Sequence, residues 1–449
     1  MFAVLLIVTA AGVALVVLLI TWARLPAFVA LAAGSFVVGL AAGMPLGDIP
    51  RAFQQGVGDT LGFTAIVIGL GTIIGKLLAE SGGAVVVSRA LIAALGSRRL
   101  DWALLASAFV IGLPVFFQVG LVLLAPVLFT LTRRTAARAD GAPLLRFGIP
   151  LLAGLSAAHG LVPPHPGPLA AIERLGADTG RTLFYSLIVA APIAIVAGPL
   201  FGRAISRRVR VEAGAVADQL TGASAAARAP SLAVTLVTIL VPVLLMLIAA
   251  LAQATAPNTT AGRAIQFAGS PVVAMLIATL LSLYTFGHAC GFDRGRLLRF
   301  AEDSLLPIAG VLLVVGAGGG FGRVLDAAGA GAAIARAAGG QHMPPLVLGW
   351  CIAAMLRLSV GSATVAVVTA ASILAPIAAA APHANRDLLV VSIGAGSLIA
   401  SHVNDGGFWL VKEYFNMTVG QTLATWTIME TILSVAGLAG VLLLNAMVS

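Results

Sequence analysis

Residues 158–168 read AHGLVPPHPGP and interrupt one of the long apolar runs of this chain. Residues 401–407 read SHVNDGG and interrupt another. Proline removes a backbone donor and clashes with the preceding helical turn, and paired glycines loosen the backbone, so both stretches are predicted to be unwound between two half-helices. Within a membrane, such backbone is tolerated only where it contacts protein or lines a water-filled cavity. Both stretches are therefore candidate functional sites.

The composition is typical of an all-α protein that crosses a lipid bilayer many times. Of the 449 residues, 60% are hydrophobic and 10% are charged, whereas soluble domains carry about 25% charged residues. The formal charge of +9 comes from arginines that lie between apolar runs with few aromatic residues among them. Membrane topology explains this pattern, and no nucleic-acid partner is expected. The first run, residues 1–22, lacks a basic start and a cleavage site and is predicted to be a retained helix.

Apolar runs of about the 20 residues that a transmembrane helix needs recur along the chain. They lie at residues 2–21, 25–44, 61–80, 182–201, 231–253, 269–288, 305–323 and 421–446. Further apolar stretches are broken by glycine, proline or polar residues. Two of them, 102–132 and 345–381, are interpreted as re-entrant hairpins that enter and leave on one side. The other two, 147–177 and 388–415, are interpreted as helices that cross once, as two halves around an unwound centre.

The arginines test this arrangement, because short loops rich in positive charge stay in the cytoplasm. The arrangement of crossing helices and hairpins places fifteen arginines on one face of the membrane and six on the other. The face with fifteen is therefore assigned to the cytoplasm, and the same arrangement puts both termini outside. The external set is Arg51, Arg174, Arg181, Arg263, Arg336 and Arg386. If 102–132 crossed completely, the pairs Arg98/Arg99 and Arg133/Arg134 would lie on opposite faces. A complete crossing would reduce the difference in arginine number between the two faces, so the hairpin is preferred.

Two pairs of similar segments indicate an internal duplication. Residues 71–78 (GTIIGKLL) resemble 318–325 (GGGFGRVL), and residues 180–183 (GRTL) resemble 420–423 (GQTL). Chance similarity between helices rich in glycine and alanine is the alternative. An odd number of crossings per half would place the halves in opposite orientation, and such inverted repeats are typical of secondary transporters. The predicted units are a first repeat over 1–201, a basic cytoplasmic linker over 202–230 and a second repeat over 231–449.

Three segments resemble the GntP family of gluconate permeases, within the broader ion-transporter superfamily. They read HGLVPPHPGP at 159–168, RLSVGSATVA at 357–366 and SHVNDGGFWLVKEYF at 401–415. The resemblance extends over nearly the whole chain. It implies a proton-coupled importer of sugar acids, such as gluconate, in a bacterial inner membrane. It also implies a homodimer whose transport unit moves against a scaffold.

A sugar acid carries one carboxylate and several hydroxyl groups, so its site needs positive potential and paired hydrogen-bond donors and acceptors. The tip of the second hairpin, at Gly361, Ser362 and Thr364, offers the amides and hydroxyls of a half-helix N-terminus. Helix capping is the alternative role of the two hydroxyls. The candidate substrate-binding residues are Arg357, Gly361, Ser362, Thr364, Asn404, His165 and Gln118.

Arg357 is a full positive charge in an apolar hairpin, and its guanidinium can hold a carboxylate through two parallel hydrogen bonds. A structural pair with Asp405 or a position at the hairpin base is the alternative. Asn404 suits hydroxyl recognition because its amide both donates and accepts. Gln118 stands where the resemblance leads us to expect glutamate, which argues against a proton-carrying role there.

Proton coupling needs a group that titrates in the working range, which histidine does and a desolvated aspartate can do. Asp405 and His165 are the first candidates, and His165 is preferred over the other histidines because flanking prolines hold it in the unwound centre. His159 and His402 come after them, with packing as the alternative role of each. No cofactor besides the coupling proton is expected.

Three other functions compete with proton symport. Sodium coupling would use Asn404, Asp405 and unwound carbonyls as oxygen ligands, and a channel would use the same path without coupling. An intramembrane hydrolase would need Ser401, His402 and Asp405 to converge, but neighbours in one stretch rarely form a triad, and no nucleophile elbow or HExxH motif is present. Two scattered cysteines do not predict a metal cluster either. The chain is therefore predicted not to be an enzyme.

Overall fold

A computed structural model of the chain describes residues 2–96, 99–136, 143–211, 229–329, 344–380, 384–402 and 405–448. Within these ranges every regular element is helical. The first half contains α1 Phe2–Thr21, α2 Ala27–Ala41, α3 Asp48–Glu80, α4 Gly83–Leu95, α5 Leu100–Gly112, α6 Phe117–Ala136, α7 Pro143–Leu161, α8 Pro166–Leu175 and α9 Thr179–Ile205. The second half contains α10 Leu232–Thr255, α11 Thr260–Ala268, α12 Pro271–Cys290, α13 Arg294–Leu305, α14 Ala309–Ala327, α15 Pro345–Val360, α16 Ala363–Ala380, α17 Arg386–Gly396, α18 Gly406–Tyr414 and α19 Val419–Val448.

Helices long and apolar enough to cross a membrane include α3, α9, α10, α12 and α19. These helices cover the apolar runs expected near 61–80, 182–201, 231–253, 269–288 and 421–446. The prediction of an all-helical protein that crosses the membrane many times is thus confirmed. One boundary differs: α3 begins at Asp48, well before its apolar run, because the helix continues through a more polar segment.

The two stretches interpreted as hairpins are pairs of short helices. The first pair, α5 and α6, is separated by residues 113–116, which include Pro114. The second pair, α15 and α16, is separated at Gly361, whose φ of +77° is a left-handed conformation that favours glycine. α5 has 13 residues and is therefore about 20 Å long, too short for the roughly 30 Å of a bilayer core.

The two predicted interruptions are present. α7 ends at Leu161 and α8 starts at Pro166, while α17 ends at Gly396 and α18 starts at Gly406. α5 packs against α7, and α15 packs against α17, so each short-helix pair lies beside one interrupted helix. A Cβ atom added to Gly394 would lie 2.5 Å from the Gly160 carbonyl oxygen. The two interrupted helices therefore come into backbone contact next to their breaks.

The long helices α3 and α14 pack against each other and carry the first pair of similar segments. Small residues allow this close approach: Cβ atoms added to Gly316 and Gly320 would lie 2.9 Å from Leu61 and 2.6 Å from Phe53. The second pair of similar segments starts α9 and α19. Both helices begin at a side-chain cap and later contain a π-helical turn, at Val196–Leu200 and Leu423–Thr427 respectively.

Candidate functional site

A cavity of about 320 Å³ lies where the short-helix pairs meet the interrupted helices. Its wall includes six residues predicted from the sequence as site residues, together with residues that the sequence analysis did not select. The predicted ones are Gln118, His159, Arg357, Ser362, Thr364 and Asp405. The others include Phe116, Phe117, Ser156, Trp426 and Glu430. The structure thus brings residues from distant parts of the chain to the wall of one cavity.

Arg357 and Asp405 form an ion pair in the cavity wall. Their side chains are 4% and 15% exposed. Arg357 also donates to the carbonyl oxygen of Gly361, at the tip of its own helix pair. Of the two roles considered for Arg357, the structural pair is therefore formed in this conformation. The guanidinium still borders the cavity and is available to an anion there.

Asp405 is also the N-terminal cap of α18. Its carboxylate accepts a hydrogen bond from the Gly407 amide at 2.8 Å and another from the Ser401 hydroxyl. A carboxylate at a helix N-terminus is favoured by the helix dipole. Asp405 thus fixes the direction of the half-helix and the position of Arg357 at once.

Hydrogen bonds to Ser401 connect the second interruption to α19. The Trp426 indole N–H donates to Ser401 Oγ at 2.8 Å, and the Thr427 hydroxyl donates to the Ser401 carbonyl oxygen at 2.5 Å. The His402 ring nitrogen Nδ1 lies 2.8 Å from the Ala400 carbonyl oxygen. The imidazole is thus turned toward its own backbone, so no hydrolase-like relay runs from Ser401 through His402 to Asp405.

His159 and His165 form an aromatic cluster with Phe116. The two imidazole centroids are 4.9 Å apart, and both rings lie about 6 Å from the phenyl ring. His165 is buried and its Nε2 lies 2.6 Å from the Gly112 carbonyl oxygen at the end of α5. Since a carbonyl only accepts, Nε2 carries the proton. His165 thus joins α8 to the first short-helix pair, while His159 borders the cavity.

The N-terminal end of α16 faces the cavity through Ser362 and Thr364. Ser362 Oγ accepts a hydrogen bond from the Val365 amide at 3.4 Å, which is the capping role considered as its alternative. Gln118 borders the cavity from the start of α6. Asn404 lies outside the described residues.

Glu430 is a cavity residue that the sequence analysis missed. It is 1% exposed and is the only charged residue between residues 421 and 446. A lone carboxylate in a transmembrane helix is itself a signal of function. The sequence carries this signal at position 430.

A charged cluster links the two interrupted helices away from the cavity. The Asp178 amide donates to Asp387 Oδ1 at 2.7 Å, and Arg181 Nε lies 3.1 Å from Asp387 Oδ2. Arg386 Nη1 lies 3.5 Å from the Leu175 carbonyl oxygen. The end of α8 and the start of α17 are therefore held together.

A larger cavity of about 700 Å³ lies between α5 and α9. Leu105, Phe109 and Ile195 make its wall mainly apolar. None of the site residues predicted from the sequence borders it. The smaller cavity is therefore the candidate functional site.

Comparison with known proteins gives matches along almost the full length. The model of the GntP family permeases matches residues 4–448. A gluconate permease of Pseudomonas aeruginosa is 47% identical over 96% of this chain and 95% of its own. The high-affinity gluconate transporter of Escherichia coli is 41% identical over 99% of this chain and 100% of its own. The Gnt-II system L-idonate transporter of the same organism is 40% identical over 98% of this chain and 99% of its own.

Two solved transporter structures share the fold. The YdaH transporter of Alcanivorax borkumensis superposes with a TM-score of 0.66 at 17% identity, over 92% of this chain and 96% of that one. MtrF of Neisseria gonorrhoeae superposes with a TM-score of 0.60 at 13% identity, over 92% of this chain and 93% of that one. At these identities the similarity concerns the fold alone. The full-length family match and the identities of 40% and above show that this chain belongs to the GntP family of permeases.

Proposed function

We propose that this protein imports a sugar acid, gluconate or a related aldonate, by proton symport across the bacterial inner membrane. As a member of a permease family it is a membrane transporter and not an enzyme, in agreement with the sequence analysis. The observation that carries the proposal is the buried Arg357–Asp405 pair beside a cavity of about 320 Å³. That volume lies in the range of roughly 300–1,000 Å³ typical of small-molecule sites. Relatives named for gluconate and L-idonate support the substrate class.

The substrate carboxylate is proposed to bind at Arg357 and at the N-terminal end of α16, with Gly361, Ser362 and Thr364 supplying amides and hydroxyls. Gln118 borders the same cavity and suits the hydroxyl groups, because its amide both donates and accepts. Asn404 is proposed for the same task, next to Asp405 in sequence. His165 is proposed to act indirectly, by holding the first helix pair through Gly112.

Proton coupling is proposed to use titratable groups in and around this cavity. Of the candidates Asp405, His165, His159 and His402, Asp405 and His159 border it. A proton held beside a bound anion reduces the charge that must cross the low-dielectric interior. This energetic argument favours proton symport for an anionic substrate.

The transport cycle is proposed to be alternating access by two inverted repeats, 1–201 and 231–449, joined by the basic linker 202–230. In this proposal α5–α6 and α15–α16 are re-entrant hairpins, which the short first helix of each pair, with 13 and 16 residues, supports. The shared order of short-helix pair, interrupted helix and final long helix in both halves supports the duplication. A homodimer is proposed from the family resemblance.

Uptake of labelled gluconate into proteoliposomes tests the proposal. An imposed pH gradient, acidic outside, is expected to drive accumulation with or without sodium. Accumulation that needs sodium and ignores the pH gradient would favour the sodium-coupled alternative, and equilibration without accumulation would indicate a channel. Competition by gluconate, glycerate, ketodeoxygluconate and D-serine then ranks substrates. The sugar acids are expected to compete and D-serine is not.

A further inference from the structure

Glu430 places a carboxyl group deep inside the apolar helix α19. It is 1% exposed and lies one turn after the π-helical turn Leu423–Thr427. A charge in a membrane interior is costly and is usually paired or exposed to an aqueous path. The position therefore calls for a specific partner or a specific task.

The surroundings of Glu430 leave its carboxyl group incompletely satisfied. The Ser156 side chain on α7 hydrogen-bonds to it, and Oε1 has no hydrogen-bond partner within the described ranges of the chain. The same side chain borders the 320 Å³ cavity. An ionised carboxylate offers about four acceptor sites, so a single hydrogen bond compensates it poorly. The protonated form needs fewer donors, and the geometry suits a group that gains and loses a proton.

The charged groups facing Glu430 come from the cavity wall. Arg357 on α15 and Asp405 at the start of α18 both interact electrostatically with it. His159, on α7, borders the same cavity. Cys351 is another titratable residue of α15 and follows Trp350 in sequence. The Trp350 indole N–H donates to Ser434, which lies one turn beyond Glu430 on α19.

The other helices packed on α19 turn their charges elsewhere. On α9, Arg203 pairs with Asp101 at 2.6 Å and Arg181 pairs with Asp387 of α17 at 3.1 Å. Another titratable residue of α9 is Tyr185, one turn before Val189. Val189 contacts α19 at Gly440, which is ten residues beyond Glu430. The Arg357–Asp405 pair is therefore the electrostatic partner of Glu430.

The balance of charge links Glu430 to anion binding. Arg357 and Asp405 cancel each other, so an ionised Glu430 leaves the cavity with one net negative charge, which opposes a second anion. A protonated Glu430 leaves it neutral, and Arg357 then attracts the substrate carboxylate without that opposition. By reciprocity, a bound anion must favour protonation of Glu430 to the same extent.

We propose that Glu430 is the proton-binding group of transport, and that Asp405 holds Arg357 rather than carrying the proton. This inference rests on the proposed function. A hydronium ion on one side gives a proton to a carboxylate oxygen of Glu430 as the sugar-acid anion binds, which forms the carboxyl O–H bond and leaves water. On the other side this O–H bond breaks as the anion leaves, and the proton passes to water and forms hydronium. Asp405 is the poorer carrier, because its carboxylate already accepts hydrogen bonds from Arg357, Ser401 and Gly407.

The test compares wild type, Glu430→Gln and Glu413→Gln in proteoliposomes. Glu413 is a matched carboxylate, 67% exposed and paired with Lys412. Wild type and Glu413→Gln are expected to accumulate gluconate up to about tenfold per unit of pH gradient, the limit for one proton per anion. Glu430→Gln resembles the protonated form, so it is expected to bind and exchange gluconate while its accumulation ratio falls to one.

The outcomes separate this inference from the proposed function. If wild type ignores the pH gradient, proton symport itself is wrong. If wild type is driven by the gradient and Glu430→Gln still accumulates gluconate, symport stands and the assignment of Glu430 is wrong. A folded Glu430→Gln protein that neither binds nor exchanges gluconate also overturns the assignment, because the neutral side chain should preserve both.

A second variant covers failure of Glu430→Gln to fold. Glu430→Asp keeps the carboxyl group but moves it away from Ser156. Gluconate affinity of the wild type in detergent is expected to fall by up to tenfold per pH unit above the titration of the carboxyl group. The midpoint of this loss is expected to shift in Glu430→Asp. An identical midpoint in both proteins would assign the titration to another group.

Discussion

Arg357 and Asp405, 48 residues apart in sequence, form an ion pair that joins the end of α15 to the start of α18 beside the candidate cavity. Both side chains are largely withdrawn from solvent. Loss of one partner from such a pair leaves an uncompensated charge, whereas loss of both does not. The pair is therefore at once a structural connection and the charged part of the proposed binding site.

Replacement of Arg357 by alanine is expected to affect both roles. We expect Arg357→Ala to weaken gluconate binding and to destabilise the protein by about 1–3 kcal/mol, because the partly buried Asp405 loses its cation. The double variant Arg357→Ala with Asp405→Asn should regain part of the stability and none of the binding. Thermal unfolding in detergent and equilibrium gluconate binding measure the two effects. Unchanged affinity in the single variant would contradict the role in binding.

Asp405→Asn is expected to abolish accumulation while leaving some exchange. Asparagine retains an acceptor for the Gly407 amide but no longer neutralises Arg357. The guanidinium is then free to attract Glu430 in its ionised form, which opposes the proton uptake proposed there. Proteoliposome uptake and counterflow distinguish the two activities. Coupled uptake at the wild-type level would rule out this coupling between the three side chains.

The cluster at the end of α8 allows a paired comparison of a buried and an exposed partner. Arg181 is 66% exposed and the Asp387 side chain 9%. We expect Arg181→Ala to cost at most about 1 kcal/mol, as for other exposed ion pairs. Asp387→Ala should cost about 1–3 kcal/mol, because the Asp178 amide loses its acceptor. Thermal unfolding of both variants measures the two losses of stability. A loss for Arg181→Ala equal to or larger than that for Asp387→Ala would contradict the prediction.

Two glycines on one helix test the close contact of α3 with α14. A Cβ atom added to Gly56 would lie 2.6 Å from Arg323 Cβ and 2.8 Å from the Gly319 carbonyl carbon. Around Gly58 an added Cβ meets no atom within 4 Å in the described structure. Gly56→Ala is therefore expected to lower the unfolding temperature. Gly58→Ala should be neutral or stabilising by about 0.5–1 kcal/mol, the usual gain from alanine in a helix. Equal effects of the two substitutions would mean that α3 and α14 are not in tight contact.

The sequence by itself determined the features that depend on local chemistry. Hydropathy located the membrane-crossing helices, because removal of apolar residues from water acts on each segment separately. Proline and glycine indicated breaks within 158–168 and 401–407, because they change backbone freedom and hydrogen bonding within a few residues. The structure has the first break between Leu161 and Pro166 and the second between Gly396 and Gly406, so the second begins earlier than predicted. The motifs at 159–168, 357–366 and 401–415 identified the family, and the full-length match confirms it.

Only the tertiary structure decided which side chains meet. His165 was predicted as a substrate-binding and proton-coupling residue, but its ring is held against the Gly112 carbonyl oxygen and is not among the residues that border the cavity. Arg357 had two possible partners, a substrate or Asp405, and the packing of α15 beside α17 placed Asp405 within reach. Glu430 could be seen as a lone charge in an apolar run, but its place opposite Ser156 could not. Such contacts depend on how distant helices pack through small residues, and no local preference of the chain specifies that geometry.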